Sequence, residues 1–290
     1  MPQSATVFRQ IAVLAHPLLP NAISEGQRVA DFLHAHGIPA VDGLLNDQTL
    51  RRTIGEEQFD LVIALGGDGT MLRAGHLCAR HGVPILGINL GHFGFLTELQ
   101  QDQWADFLPR LLDGQYWLEK RMMLLAEHWR AGRRQSSWDV LNEVVVTRGA
   151  VTRPVHLRAE VDGQVLTTYV ADALIAATPT GSTAYALAAG GPILPPELRN
   201  ILLLPVAPHL SIDRAIVLAE GSSVCITVHE QTPVVFSVDG QMPGELLIQD
   251  RVSVRAAEHA ALFVRFQDPG YFYRNLTPHM NRNPVTGSFS

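Results

Sequence analysis

Apolar residues follow two rhythms along the chain, and the change between them divides it. In the first third, short unbroken apolar runs alternate with longer stretches at helical spacing. Ile11–Ala15 is a β-rich run ending at His16-Pro17, and Leu61–Leu65 and Pro84–Ile88 are runs of the same kind. Between the first two, Asn21–His36 sets Ile23, Val29, Ala30, Phe32 and Leu33 near a helical period, with Gly37 placed to stop the helix; Thr70–His81 predicts a second helix. Strands without polar alternation, joined by helices, predict a parallel sheet covered on both faces. Beyond a helix predicted over Gln101–Leu112, the pattern shifts to short strands with turn residues roughly every 8 to 12 positions. Val155–Val161 and Val165–Val170 flank Asp162-Gly163, a strong hairpin signal, and Val224–Val228, Val234–Val238, Leu246–Ile248 and Leu262–Phe266 continue the style. The expected organisation is an α/β domain over 1–113, a β-rich, sandwich-like domain over 114–267, and a tail over 268–290. Tyr271, Phe272 and Tyr273 give that tail too much aromatic surface for a free end, so it is expected to pack back on the first domain.

Composition narrows the partners. With 47% apolar and 17% charged residues, the chain of 290 residues has the material for a sizeable core and room for two domains. A net charge of −6 gives no bulk attraction to nucleic acid or an anionic membrane, so any phosphate must be gripped locally. Lys120 is the only lysine, and no glycine turn leads into a Lys-Ser/Thr pair, which excludes a P-loop. Cys78 and Cys225, far apart in apolar stretches, are expected as buried free thiols. Without a signal sequence or an apolar run approaching about 20 residues, the chain reads as cytosolic. No pair among the histidines has zinc-motif spacing; His16, His34 and His36 read as solvated or loop residues, and His92 as a possible ligand neighbour.

The candidate chemistry lies in glycine- and hydroxyl-rich turns. Leu61–Leu65 runs directly into Gly66-Gly67-Asp68-Gly69-Thr70, and a helix follows. Such a turn lets backbone approach a ligand, and amides at the helix mouth favour phosphate. Asp68, its one ionisable side chain, is placed to take a proton from an attacking hydroxyl or to hold a magnesium ion. Gly87-Ile88-Asn89-Leu90-Gly91-His92-Phe93-Gly94-Phe95-Leu96 follows another strand, without the dinucleotide-fingerprint spacing. Thr178-Pro179-Thr180-Gly181-Ser182-Thr183-Ala184-Tyr185 is a hydroxyl-dense turn into a short helix, with Tyr185 suited to lie against a base. Asn142-Glu143 opens a strand predicted over Val144–Val146, so their side chains point to opposite faces. Asp172 interrupts the apolar run Tyr169–Ala177 and needs a partner or ligand there; Asp239-Gly240 reads as a turn.

Together these segments resemble the bacterial NAD kinase family. The resemblance rests on Gly66-Gly67-Asp68-Gly69-Thr70, Gly87-Ile88-Asn89 with Gly94-Phe95-Leu96, Asn142-Glu143, and Thr178 through Gly191 with Pro192-Ile193, and covers nearly the whole chain. It implies transfer of the terminal phosphoryl of ATP, or of polyphosphate, to the 2′-hydroxyl of the adenosine ribose of NAD, with Mg²⁺. In that reading Asp68 is the base, Gly69 touches the same ligand, and Gly66, Gly67, Gly69 and Thr70 hold donor phosphates. Arg73 lies near phosphate, Asn142 and Glu143 hold the adenosine part, and Asp172 contacts the nicotinamide half. Thr183, Ala184, Tyr185, Ala186, Leu187 and Ala188 line the NAD pocket, with Gln241 and Arg153 on the substrate side. The family also implies a homodimer or homotetramer built through the β-rich domain. Val170-Ala171 departs from the family pattern, where a polar residue often stands two positions before Asp172. Two other readings share the Gly-Gly-Asp-Gly turn: a diacylglycerol- or sphingosine-type lipid kinase, disfavoured by the acidic charge, and a non-catalytic nucleotide sensor, disfavoured by the intact Asp68.

Overall fold

The computed structural model describes residues 8–56, 58–91, 94–149, 153–209, 212–229 and 234–280. These form two compact units: the residues up to Lys120 together with those from Ala261 on, and Arg121–Ala260. The sequence-based boundaries stood at 113/114 and 267/268.

The first unit is built on a parallel sheet. Its strands are β1 (Ile11–Ala15), β2 (Ala40–Leu44), β3 (Leu61–Leu65), β4 (Ile85–Asn89) and the short β5 (Leu99–Gln100). The order β2-β1-β3-β4 is parallel throughout, with β5 beside β4 and Phe263 of a later strand paired to Ile85. The helices are α1 (Pro20–Ala35), α2 (Gln48–Gly55), α3 (Asp68–Cys78), α4 (Trp104–Leu112) and α6 (Tyr271–Met280). Every residue of β1, β3 and β4 is buried, which explains their unbroken apolar runs. Ile11, Val13 and Ala15 share one core with Val29, Leu33 and Leu108 from α1 and α4. Ala12 and Leu14 alternate to the other face; α3 packs on β3 and β4, and α2 packs on α3. Three sequence-derived helices shift at their ends: α1 starts on Pro20, α4 starts three residues after Gln101, and a 3₁₀ turn, Ala79–His81, finishes the second. In the last helix Tyr271 and Phe272 are buried and Tyr273 is 57% exposed.

The second unit is a sandwich of antiparallel sheets. Its strands are β6 (Trp117–Arg130), β7 (Arg133–Val140), β8 (Glu143–Arg148), β9 (Val155–Val161), β10 (Gln164–Ala171), β11 (Ala173–Ala177), β12 (Asn200–Val206), β13 (Ile216–Ala219), β14 (Ser223–Val228), β15 (Val234–Val238), β16 (Gln241–Leu246) and β17 (Arg251–Arg265), and its helix is α5 (Tyr185–Ala188). The ranges of β6 and β17 carry residues of both units. One sheet has the order β13-β12-β11-β8-β15-β16, and β10-β9-β14-β17 pair against one another in the other. Val144, Val146, Leu174, Ala176, Ile201 and Leu203 face Leu157, Tyr169, Ile226 and Val252 across the main core. Their neighbours Val145, Ala173, Ile175, Leu202 and Leu204 turn to a second core with Ala186 and Leu194. Both faces of this sheet are therefore covered. Asp162 and Gly163 both take positive φ, 51° and 76°, and close the expected β9–β10 hairpin. The strand expected at Leu246–Ile248 instead ends at Leu246, with Leu247 and Ile248 exposed in a turn. Both cysteines are free, Cys78 buried and Cys225 only partly so, which corrects the expectation for the second.

Candidate active site

In the order β2-β1-β3-β4 the chain leaves β1 to one side for β2, then returns to its other side for β3. Loops after β1 and β3 thus diverge, and the crevice at their carboxyl ends is where such sheets bind ligands. Gly66–Thr70 follows β3 at this point. His16, one residue past β1, donates its amide to the Leu65 carbonyl (3.1 Å) and accepts from the Leu18 amide at Nδ1 (3.2 Å). Burial first, and then the charge of Arg73, lower its affinity for a proton. Residue type alone does not separate His16 from the other loop histidines. Its position at the end of the first strand was the available signal.

Asp68 is the first residue of α3, with Gly67 as extended N-cap. Its Oδ2 accepts the Phe95 amide (2.8 Å) and its Oδ1 the Leu96 amide (3.0 Å). The second glycine loop therefore clamps the carboxylate of the first. Gly94 makes room for it: a Cβ there would stand 1.9 Å from Oδ1. Asp68 and Gly67 are half-buried, Gly69 and Arg73 exposed, and Gly66 and Thr70 buried. The Thr70 hydroxyl lies beneath the turn, with no hydrogen-bond partner. His92 lies outside the described residues.

The second unit gathers the other predicted segments. Asp239 is 7% exposed and accepts three backbone amides, from Leu141 (2.7 Å), Asn142 (2.8 Å) and Glu143 (2.9 Å). From the opposite side the Thr178 hydroxyl donates to the Leu141 carbonyl and the Thr178 amide to that of Asn142. The Gly181 amide then donates to the Thr178 hydroxyl (3.0 Å). A Cβ on Gly181 would stand 2.2 Å from the Asn142 carbonyl oxygen, so the hydroxyl-rich turn packs directly on Asn142. The Thr183 hydroxyl donates within the turn to the Thr180 carbonyl, and the Ser182 hydroxyl donates to the Pro179 carbonyl and accepts the Leu194 amide (2.9 Å). Glu143 is buried and its Oε2 has no hydrogen-bond partner. Burial, then the charge of Asp239, push its carboxyl up to about 8, against a smaller opposing hydrogen bond from the Tyr185 amide. The Tyr185 ring is 44% exposed, and Ala184 and Leu187 are half-buried, Ala186 buried and Ala188 exposed. Asp239 is thus more than the turn residue that its sequence context indicates.

Asp172 stands apart. In the β8–β11 register Glu143 pairs with Ala177 and Thr147 with Ala173, so Asp172 lies beyond the far end of β11 from Glu143. It forms an ion pair with Arg148 (3.4 Å), with both side chains one-third exposed. Arg153 and Gln241 are exposed as well. Among the described residues no three His, Cys, Asp or Glu side chains converge to hold a metal ion.

A parallel sheet with a clamped aspartate in a glycine turn at its switch point, followed by a β-rich unit with a second polar cluster, suits a phosphotransferase of the nucleotide-kinase type. Residues 19–116 match the family model described as ATP-NAD kinase N-terminal domain, and 141–266 match ATP-NAD kinase C-terminal domain. The chain is 36% identical over 277 residues to a NAD kinase of Chloroflexus aurantiacus, covering 96% of this chain and 100% of the relative. In fold it is similar to yeast NADH kinase solved with NADH, with a TM-score of 0.82 at 22% identity over 98% of this chain and 90% of that one. It is likewise similar to a NAD kinase from Archaeoglobus fulgidus solved with ATP, with a TM-score of 0.74 at 22% identity over 92% and 97%. The chain belongs to the NAD kinase family, phosphotransferases with an alcohol group as acceptor. The lipid-kinase reading falls with that membership.

Proposed function

We propose that the chain transfers the terminal phosphoryl of ATP to the 2′-hydroxyl of the adenosine ribose of NAD, giving NADP, with Asp68 as the general base. The observation that carries this reading is the Asp68 carboxylate, fixed by two backbone amides at the carboxyl edge of the parallel sheet. A carboxylate has about four acceptor positions, and the amides take two, leaving others for the hydroxyl proton. Phosphoryl transfer asks the protein mainly for positioning and charge neutralisation. Backbone amides of Gly67 and Gly69 at the mouth of α3 suit the donor phosphates, and the exposed Arg73 adds positive charge. Mg²⁺ supplies further neutralisation between those phosphates when bound. The Asp68 carboxylate would be this chain's ligand to such an ion, which would arrive with the donor phosphates.

In the second unit, Asn142 and Glu143 hold the adenosine part of NAD and Thr183–Ala188 line its pocket, with the exposed Tyr185 ring lying against a base. At neutral pH Glu143 is mostly protonated, and its Oε2 is enclosed without a hydrogen-bond partner. Asp172 contacts the nicotinamide half, with Gln241 and Arg153 nearby. Among the described residues no helix is long and apolar enough to cross a membrane. The reading places the protein in the cytoplasm as a homodimer or homotetramer.

The test incubates the full chain with Mg-ATP and NAD and detects NADP with an NADP-specific dehydrogenase, with polyphosphate and NADH in parallel reactions. Rapid NADP formation is expected with ATP. A folded protein that forms none would overturn the reaction. Light scattering at the mass of one chain would overturn the assembly.

A further inference from the structure

Arg265 is wholly buried, an expensive place for a guanidinium, and buried ion pairs seldom repay desolvation as stability. Its contacts suggest another use. Nη1 donates to the carbonyls of Leu96 (3.3 Å) and Thr97 (3.2 Å) and to Glu98 Oε2 (3.1 Å). Nε donates to Glu119 Oε2 (2.9 Å), and Glu119 Oε1 accepts the Tyr271 hydroxyl (2.7 Å). Glu98 Oε1 in turn accepts the amides of Phe266 (2.8 Å) and Gln267 (3.1 Å). All these residues belong to the first unit.

The segment held in this way carries the Asp68 clamp. Gly94–Glu98 has no regular secondary structure, so its peptide planes depend on outside anchors. Leu96 turns its carbonyl to Arg265 and its amide to Asp68 Oδ1 (3.0 Å). From this geometry we infer that Arg265, braced by Glu119 and Tyr271, is a positioning residue that orients the Asp68 carboxylate through the Leu96 backbone. The inference rests on Asp68 being the base. A planar fork is needed, because one guanidinium reaches two carbonyls and two carboxylates in fixed directions, and a lysine ammonium keeps the charge without that reach.

The test measures kcat, both KM values and thermal unfolding for Arg265→Lys and Tyr271→Phe, each alone and combined with Asp68→Asn. Alone, Arg265→Lys is expected to lower kcat about tenfold and Tyr271→Phe severalfold, with KM for ATP and NAD moving by less than about twofold. On the Asp68→Asn background neither should lower the residual rate by more than about twofold, because the group they orient is gone. Equal losses on both backgrounds would mean that the cluster only supports the fold and would overturn the relay. So would an unchanged kcat in folded Tyr271→Phe, which removes one hydroxyl and decides the matter even where Arg265→Lys does not fold. Near-normal turnover in Asp68→Asn alone overturns the base assignment instead, which separates the two failures.

Discussion

Asp68 and Asp239 each receive backbone amides from a distant segment, and they differ in what remains open. Asp68 takes two amides, from Phe95 and Leu96, and stays half-buried at the mouth of a crevice. Asp239 takes three, from Leu141, Asn142 and Glu143, and is 7% exposed. The same device therefore yields a carboxylate with acceptor capacity to spare in one unit and one committed to shaping a loop in the other. The glycines beside them echo this contrast. Against Gly94 the obstacle is the end of the Asp68 side chain, and against Gly181 it is the Asn142 backbone.

The comparison breaks first on Asp68→Asn. Turnover should fall about 10²- to 10⁴-fold. The melting temperature should fall by less than in Asp239→Asn, because the new amide NH₂ faces one donor at a half-buried site, and near-normal NADP formation would remove the distinction between the two aspartates. Asp239→Asn should do the reverse, because an amide NH₂ would confront inward-pointing donors. A loss of about 2–4 kcal/mol in unfolding free energy is expected in denaturant titration. A stability within about 0.5 kcal/mol of the parent would show that the three amides need no charge. A dependence on pH is expected as well. Glu143 has its carboxyl raised from 4.5 to about 8, so folding favours the protonated form. Its stabilising share is complete below pH 4.5, falls as pH rises, and is lost by about pH 8. Melting curves from pH 5.5 to 8.5 should therefore decline less steeply for Glu143→Gln, and parallel curves for the two proteins would contradict the raised value.

The parts of the fold legible in sequence were those whose cause is local. β1, β3 and β4 announced themselves because strands covered on both faces are apolar at every position. The Asp162-Gly163 hairpin did so because few residues tolerate two positive φ angles in succession. β7 was missed because Arg133-Arg134-Gln135-Ser136-Ser137 is exposed and lacks apolar alternation, although it pairs with β6 through a register shift at His128/Trp129. β2 likewise carries Asp42 and Gly43 in an Ala-Val-Asp-Gly-Leu strand that is nowhere fully buried. At the site, the glycine turn and Asn142-Glu143 were visible as motifs. The clamp of Asp68 by Leu96, 28 residues away, and of Asn142 by Asp239, 97 residues away, was not, since a hydrogen bond across such distances leaves no periodic trace. Asp172 looked isolated only because its partner, Arg148, approaches from another strand.

Arg265 follows Glu98 by 167 residues and Glu119 by 146. At a ribosomal pace of about 5–20 residues per second, those acids wait roughly ten to thirty seconds for their cation. Until it emerges, Glu98 and Glu119 lack the cation that offsets the cost of their burial, and the loop that clamps Asp68 lacks its anchor. Catalytic competence would then be the last property this chain acquires during its own synthesis, after the segment made in between has had time to fold.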